Sequence, residues 1–274
     1  MQISFFSHFS RWCKLVPVLL ALGACQSGAV MTPSSSAQTI ILVGDSTMAP
    51  NSGYGNAFCS RFQAPVSCLN MAKGGRSSGS YRAEGSWEQV MRVLRALPAG
   101  ERGLVLMQFG HNDQPGKPGR STDLMTEYPA NLQGYIRDVR AAGADIVLIT
   151  PLARRTFKED VLPNDLRPWA LSMISVAAQE KVALIDLNLQ SHTVLSRMGQ
   201  DEADTLAMVP RPAQTAAPVQ SGLAATEPQG VAKSAFDRTH LGQKGALLFS
   251  EMVIRDLTAI QPSVISALRQ GGNP

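Results

Sequence analysis

The chain has 274 residues and a mass of 29.3 kDa, enough for one large domain or two small ones. Its 44% hydrophobic and 17% charged residues exclude a disordered chain, and 6% aromatics leave little material for stacking nucleic-acid bases. Of the 25 Lys and Arg, Arg11 and Lys14 fall in an acid-free stretch over residues 1–24, so the rest is nearly balanced and is not a DNA- or RNA-binding chain. Four cysteines are too few for a disulfide scaffold or a zinc ribbon.

Arg11 and Lys14 precede the apolar run Leu15 to Ala24, which is shorter than the ~20 residues a membrane span needs. Residues 1–24 read as a secretory signal peptide. The run ends Leu22-Gly23-Ala24-Cys25, which resembles a bacterial lipobox. That resemblance implies lipid transfer to Cys25 and cleavage before it; a plain signal peptide ending near a cysteine is the alternative. Gln26 stands where Asp would imply retention at the inner membrane. The expectation is an outer-membrane lipoprotein facing the periplasm or the cell surface, or a secreted protein if the lipid is absent. Residues 25–38, rich in Ser, Ala, Gly, Thr and Pro, read as a lipid-anchored flexible tether. Beyond it, Cys59 and Cys68 read as a disulfide suited to an oxidising compartment, with two small buried thiols as the alternative.

The body alternates strand and helix patterns. Thr39–Gly44, Val66–Ala72, Leu104–Phe109, Asp145–Thr150 and Val182–Leu187 are short apolar runs that suit a parallel sheet covered on both faces. Between them, Trp87, Val90, Met91, Leu94 and Leu97 repeat at helical spacing, as do Leu132, Tyr135, Ile136 and Val139 before Gly143. Leu171, Ile174 and Ala178 define one side of a helix from Leu166 to Gln179, and a last helix spans Gln243 to Leu257. This order predicts an α/β fold: a three-layer α/β/α sandwich around an open, doubly wound, mainly five-stranded parallel sheet. The domain is expected over residues 39–258, with 259–274 as a C-terminal tail and 207–235 as a long inserted loop without period.

In such sheets ligands bind beyond the carboxyl ends of the strands. There the chain places Gly44-Asp45-Ser46-Thr47, Lys73-Gly74-Gly75-Arg76-Ser77, Gly110-His111-Asn112-Asp113 and Phe236-Asp237-Arg238-Thr239-His240-Leu241. Each alone reads more simply as a turn or a helix cap. Jointly they suit acyl transfer, because a serine hydroxyl needs an adjacent base. Past the signal stretch the histidines are His111, His192 and His240, and only His240 has an acid, Asp237, three residues before it. No His-x-x-x-His or His-Glu-x-x-His supports a metal, no Gly-x-Gly-x-x-Gly follows the first strand, and Gly74 to Gly79 lacks the P-loop ending. No cofactor, nucleotide or metal is therefore expected.

Taken in order, Gly-Asp-Ser, the loop glycine, Gly-His-Asn-Asp and Asp-x-x-His resemble the four blocks of the SGNH (GDSL-type) hydrolases. Gly-Asp-Ser-Thr, Gly75-Arg76-Ser77, the segment Ser80 to Trp87 and Asp237-x-Thr-His-Leu241 are most similar to the rhamnogalacturonan acetylesterases. The resemblance spans residues 39–258 and implies a flavodoxin-like sandwich. It implies Ser46 as nucleophile, His240 as general base and then acid, and Asp237 as the group that orients the imidazole. It implies the backbone N–H groups of Ser46 and Gly75 and the Asn112 amide as oxyanion-hole donors, a site worth several kcal/mol to a tetrahedral intermediate.

The expected activity is removal of O-acetyl groups from an acetylated polysaccharide, rhamnogalacturonan first. Arg76, Arg82 and Arg154 are candidates for its carboxylates, with Arg155 beside them, and Tyr81 and Trp169 for its sugar rings. The chain departs from the family at Gly79, where another arginine is common. Three alternatives stay open: a lipase or arylesterase acting on other acyl esters, a deacetylase of cell-wall or exopolysaccharide, and a non-catalytic carbohydrate-binding lipoprotein.

Overall fold

The computed structural model describes residues 37–212 and 236–269. The signal stretch, Cys25, nearly all of the tether, most of the 207–235 segment and the last five residues lie outside the described residues.

Five strands pair in parallel in the order β2-β1-β3-β4-β5: β1 (Gln38–Gly44), β2 (Val66–Asn70), β3 (Arg102–Gln108), β4 (Asp145–Ile149) and β5 (Ala183–Ile185). β1 lies between β2 and the central β3, with Leu42 opposite Asn70 on one side and Leu106 on the other. Among the described residues seven helices flank the sheet: α1 (Gly55–Cys59), α2 (Ser80–Ala83), α3 (Ser86–Arg95), α4 (Glu127–Ala141), α5 (Arg167–Glu180), α6 (Leu187–Asp204) and α7 (Gln243–Ile260). The doubly wound sandwich is the architecture expected from the sequence.

The two-residue period of the strands divides the core in two. Ile40, Leu42, Leu104, Leu106, Val147 and Ile149 face Phe58 of α1, Leu195 of α6 and Phe249, Val253 and Leu257 of α7. Ile41, Val43, Val105, Met107, Ile146 and Leu148 face Tyr81 of α2, Trp87 and Val90 of α3, Leu132 and Ile136 of α4, and Trp169 and Met173 of α5. Burying each such large apolar side chain stabilises the fold by ~1.5–3 kcal/mol. Cys59, the last residue of α1, forms a disulfide with Cys68 of β2, with Cα atoms 5.2 Å apart.

Several elements differ from the sequence reading. The fifth strand stops at Ile185, because Asp186 caps α6 by accepting the Leu189 N–H. α6 was absent from the pattern; its polar face and Gly199, at φ 72°, break the periodicity. α5 turns Trp169, Ala170, Met173, Val176 and Ala177 inward and leaves Leu171 and Ala178 exposed, so the expected inner side was rotated. Past residue 258, α7 continues to Ile260, and a 3₁₀ turn over Pro262–Ala267 buries Val264 and Ala267 against the core. Ala207, read as the start of the loop, pairs with Leu241. No helix among the described residues is long and apolar enough to cross a membrane.

Candidate active site

The chain runs from β1 outward to β2 and then returns past β1 to β3, so the crevice at their carboxyl ends is the topological switch point of the sheet. β1 ends at Gly44, opposite Gln108 of β3. The next residues form one tight turn, in which the Asp45 carbonyl accepts the N–H groups of Met48 and Ala49 at 3.2 and 3.0 Å. The Asp45 carboxylate accepts the Thr47 N–H at 2.9 Å and the Thr47 hydroxyl at 2.8 Å, and Ser46 stands half-buried between them. Below, the Gln108 side chain donates to Thr47 Oγ1 at 2.6 Å and accepts from the Tyr54 hydroxyl at 2.9 Å. Gly53 presses on the same turn: a Cβ there would lie 2.2 Å from the Thr47 carbonyl carbon. Asp45 is fully buried beside His111, whose Nδ1 lies 3.3 Å away. Burial opposes ionisation of Asp45, but the His111 ring and the two Thr47 donors outweigh it and hold the carboxyl below its usual range. Burial pushes the His111 pKa down, against the pull of the Asp45 carboxylate beside it.

The loop after β2 lies against that turn. A Cβ on Gly74 would stand 3.7 Å from the Ser46 Cβ, and Gly75 adopts φ 78°, where a glycine is favoured. The loop after β3 holds it in place. Asn112 donates its amide to the Arg76 carbonyl at 2.9 Å. The buried Asp113 accepts the Ser78 N–H at 3.0 Å, the Ser78 hydroxyl at 2.6 Å and the Thr122 hydroxyl at 3.0 Å. Burial still raises the Asp113 pKa to about 6 despite these donors.

The third part of the site precedes α7. Asp237 Oδ1 accepts the N–H groups of Thr239 and His240 at 2.8 and 2.7 Å, and Oδ2 lies 3.1 Å from His240 Nδ1. Burial opposes the charge on Asp237, but the His240 ring and these N–H groups hold its carboxyl well below the usual range. An ionised carboxylate only accepts hydrogen bonds, so Nδ1 carries the ring proton and Nε2 is left as the acceptor. The loop is clamped from below by Arg155, which is fully buried. Its guanidinium donates to the carbonyls of His240 at 2.7 Å and of Asp237 and Thr239 at 3.4 Å. Burial lowers the Arg155 pKa to about 10. The Leu241 N–H donates to the Ser52 carbonyl at 2.9 Å, and the Ser52 hydroxyl donates to the Ser46 carbonyl at 2.7 Å. Two hydrogen bonds thus connect the Asp237–His240 loop to the turn that bears Ser46.

The structure therefore draws together the loops of Ser46, Gly75, Asn112, Asp237 and His240. It places the residues expected to meet substrate in ion pairs or in the core. Arg76 pairs with Glu84 at 2.8 Å and donates to the Gly74 carbonyl, Arg82 pairs with Asp138 at 2.7 Å over the Tyr135 ring, and Arg154 pairs with Asp165. Each of these guanidinium groups holds an acid. Tyr81 and Trp169 are core residues, 0% and 7% exposed, and His192 serves the fold by bonding the Leu162 carbonyl at 2.8 Å. Arg155, expected beside Arg154 to meet carboxylates, is instead buried beneath the His240 loop, and the supports the sequence did not disclose are Tyr54, Gln108 and Asp113. Only Asp113 stood in a motif, and there it read as part of a turn.

The model of the GDSL-like lipase/acylhydrolase family matches residues 42–213, and the chain belongs to that family; it is a carboxylic ester hydrolase. Among its relatives is the probable rhamnogalacturonan acetylesterase YesY of Bacillus subtilis, 33% identical over 180 residues that cover 63% of this chain and 81% of that protein. The rhamnogalacturonan acetylesterase RhgT of the same organism is 29% identical over 222 residues, covering 78% of this chain and 87% of that one. The crystal structure of Bacillus subtilis YxiM shares the fold, with a TM-score of 0.63 at 23% identity over 85% of this chain and 58% of that one.

Proposed function

We propose that the protein is a polysaccharide O-acetylesterase working through Ser46, His240 and Asp237, with acetylated rhamnogalacturonan as its first substrate. The observation that carries this reading is the Asp237–His240 pair, 3.1 Å apart, on a loop bonded to the Ser46 turn. The similarity to YesY and RhgT supports the choice of acetyl ester and polymer. His240 Nε2 takes the proton of the Ser46 hydroxyl as Oγ attacks the acetyl carbonyl carbon. The carbonyl oxygen becomes an oxyanion held by the N–H groups of Ser46 and Gly75 and by the second N–H of the Asn112 amide. The intermediate collapses, and the sugar oxygen leaves with the proton from the imidazolium. Water, deprotonated by His240, then attacks acetyl-Ser46, releases acetate and returns the proton to Ser46. Asp237 keeps the imidazole in the required tautomer and stabilises its charged form.

The test is acetate release from acetylated rhamnogalacturonan by wild type and Ser46→Ala. Wild type should release acetate, and the variant should lose about 10⁶-fold in kcat while keeping its Tm. A variant retaining a tenth of the activity would remove Ser46 from the chemistry. Lipid anchoring at Cys25 to the outer membrane is the second part of the proposal and rests on the Leu22-Gly23-Ala24-Cys25 sequence. Cys25→Ser should move the protein from the membrane pellet to the soluble fraction; unchanged pelleting would refute the anchor.

A further inference from the structure

Arginines buried in a fold are expected to have their guanidinium donors matched, because an uncompensated buried charge is costly. Among the described residues two arginines are buried, Arg155 at 0% and Arg120 at 8% exposure. Arg155 holds three carbonyl oxygens. Arg120 makes one long hydrogen bond, from Nη1 to the Gly75 carbonyl at 3.5 Å, and forms no ion pair among the described residues. It is the opposite of Arg76, Arg82 and Arg154, each of which holds an acid.

The place of Arg120 gives this shortage a direction. Nη1 lies 3.5 Å from where a Cβ on Gly75 would be, so the guanidinium sits against the loop that offers the Gly75 N–H to the oxyanion. Arg120 also lines an open groove of about 460 Å³ between the Gly79–Ala83 stretch, the Gly119–Thr122 stretch and Asn131 of α4. That volume is in the range of a small-ligand site. Gly79 puts no side chain into it; the nearest atoms to a Cβ there are Thr122 Cγ2 at 3.4 Å and Asn131 Nδ2 at 3.5 Å. The one acid among the described lining residues, Glu127, accepts the Asp123 N–H at 2.7 Å.

We propose that this groove is a sugar subsite and that Arg120 is its specificity residue, binding the carboxylate of a uronate that carries or adjoins the acetyl ester. The proposal rests on the polysaccharide esterase reading and sharpens it: the enzyme selects acidic over neutral acetylated chains. A planar guanidinium matches a carboxylate through two parallel N–H donors, and the low exposure of Arg120 limits screening by water. A purely structural Arg120 would shape the Gly75 loop and affect acidic and neutral polymers alike.

The experiment compares acetate release from acetylated rhamnogalacturonan with its galacturonate carboxylates free and with the same carboxylates methyl-esterified. Full-length wild type, Arg120→Gln and Arg120→Lys are each tested on both polymers. The readout is the ratio of kcat/KM on the two polymers for each protein, which is independent of the fraction folded. Wild type should prefer the free-acid polymer by ~10–100-fold, expressed mainly in KM, the worth of one charge-assisted contact. Arg120→Gln should bring the ratio to within about threefold of unity, and Arg120→Lys should retain part of the preference. Equal use of the two polymers by wild type, or an undiminished preference in Arg120→Gln, would overturn the subsite and leave the esterase reading standing. Wild type that hydrolyses 4-nitrophenyl acetate but releases acetate from neither polymer would overturn the polysaccharide reading and the subsite with it.

Discussion

At the residue scale, the site consists of short polar side chains held by buried partners whose charge states differ. Asp237 is kept ionised by the imidazole and two backbone N–H groups, whereas Asp113, which also accepts three donors, is dominated by burial. Its pKa of about 6, against 3.8 for a free aspartate, means that the folded state binds a proton more tightly than the unfolded chain. Stability contributed by that proton is present below the unfolded value and is lost as pH rises towards the folded one. Wild type should therefore lose roughly 3 kcal/mol relative to Asp113→Asn between about pH 4 and pH 6.5, because Asn titrates in neither state. Urea unfolding of both proteins across that range measures the difference; parallel curves would show that Asp113 carries no raised pKa.

At the element scale, the turn after β1 is held from two sides: Gln108 and Tyr54 bond it from below, and Gly53 packs directly on its backbone. Gly53→Ala would place a methyl carbon 2.2 Å from the Thr47 carbonyl carbon, so the turn must move. The expected cost is ~1–3 kcal/mol of stability, a Tm fall on the order of 5 °C, together with up to ~10²-fold in kcat from displacement of Ser46. Calorimetry and steady-state kinetics on the one variant check both; unchanged kcat would mean that the turn tolerates the shift. Elements of this kind divide into those legible in sequence and those not. Four of the strands were legible because each is built on a continuous apolar run, β2 (Val-Ser-Cys-Leu-Asn) from a mixed one, and α3 and α4 because their buried residues recur at three and four positions. α5 was legible as a helix but not in its facing, since apolar residues surround it and only packing selects Trp169 and Met173 over Leu171. α6 was illegible because it is polar along much of its length and turns at Gly199.

At the scale of the whole molecule, the parallel sheet gathers loops that are far apart in sequence at one edge. Ser46, Asn112, Asp237 and His240 were legible because their residue types and order carry chemistry. Their supports were not, because contact of Arg155 with the His240 carbonyl, 85 positions away, leaves no local pattern. Arg120 escaped notice for the same reason: nothing in its neighbours along the chain announces a guanidinium beside Gly75. Of the four arginines that attracted attention in sequence, Arg76, Arg82 and Arg154 are paired with acids that the fold brings to them, and Arg155 bonds backbone carbonyls. The central claim, an acyl-enzyme at Ser46, is tested most directly by inactivating the protein with diisopropyl fluorophosphate and locating the adduct by peptide mass spectrometry. The account predicts one adduct per chain, on Ser46, formed at the rate at which acetate release is lost. Inactivation with the adduct on another residue, or full modification of Ser46 with activity intact, would contradict it.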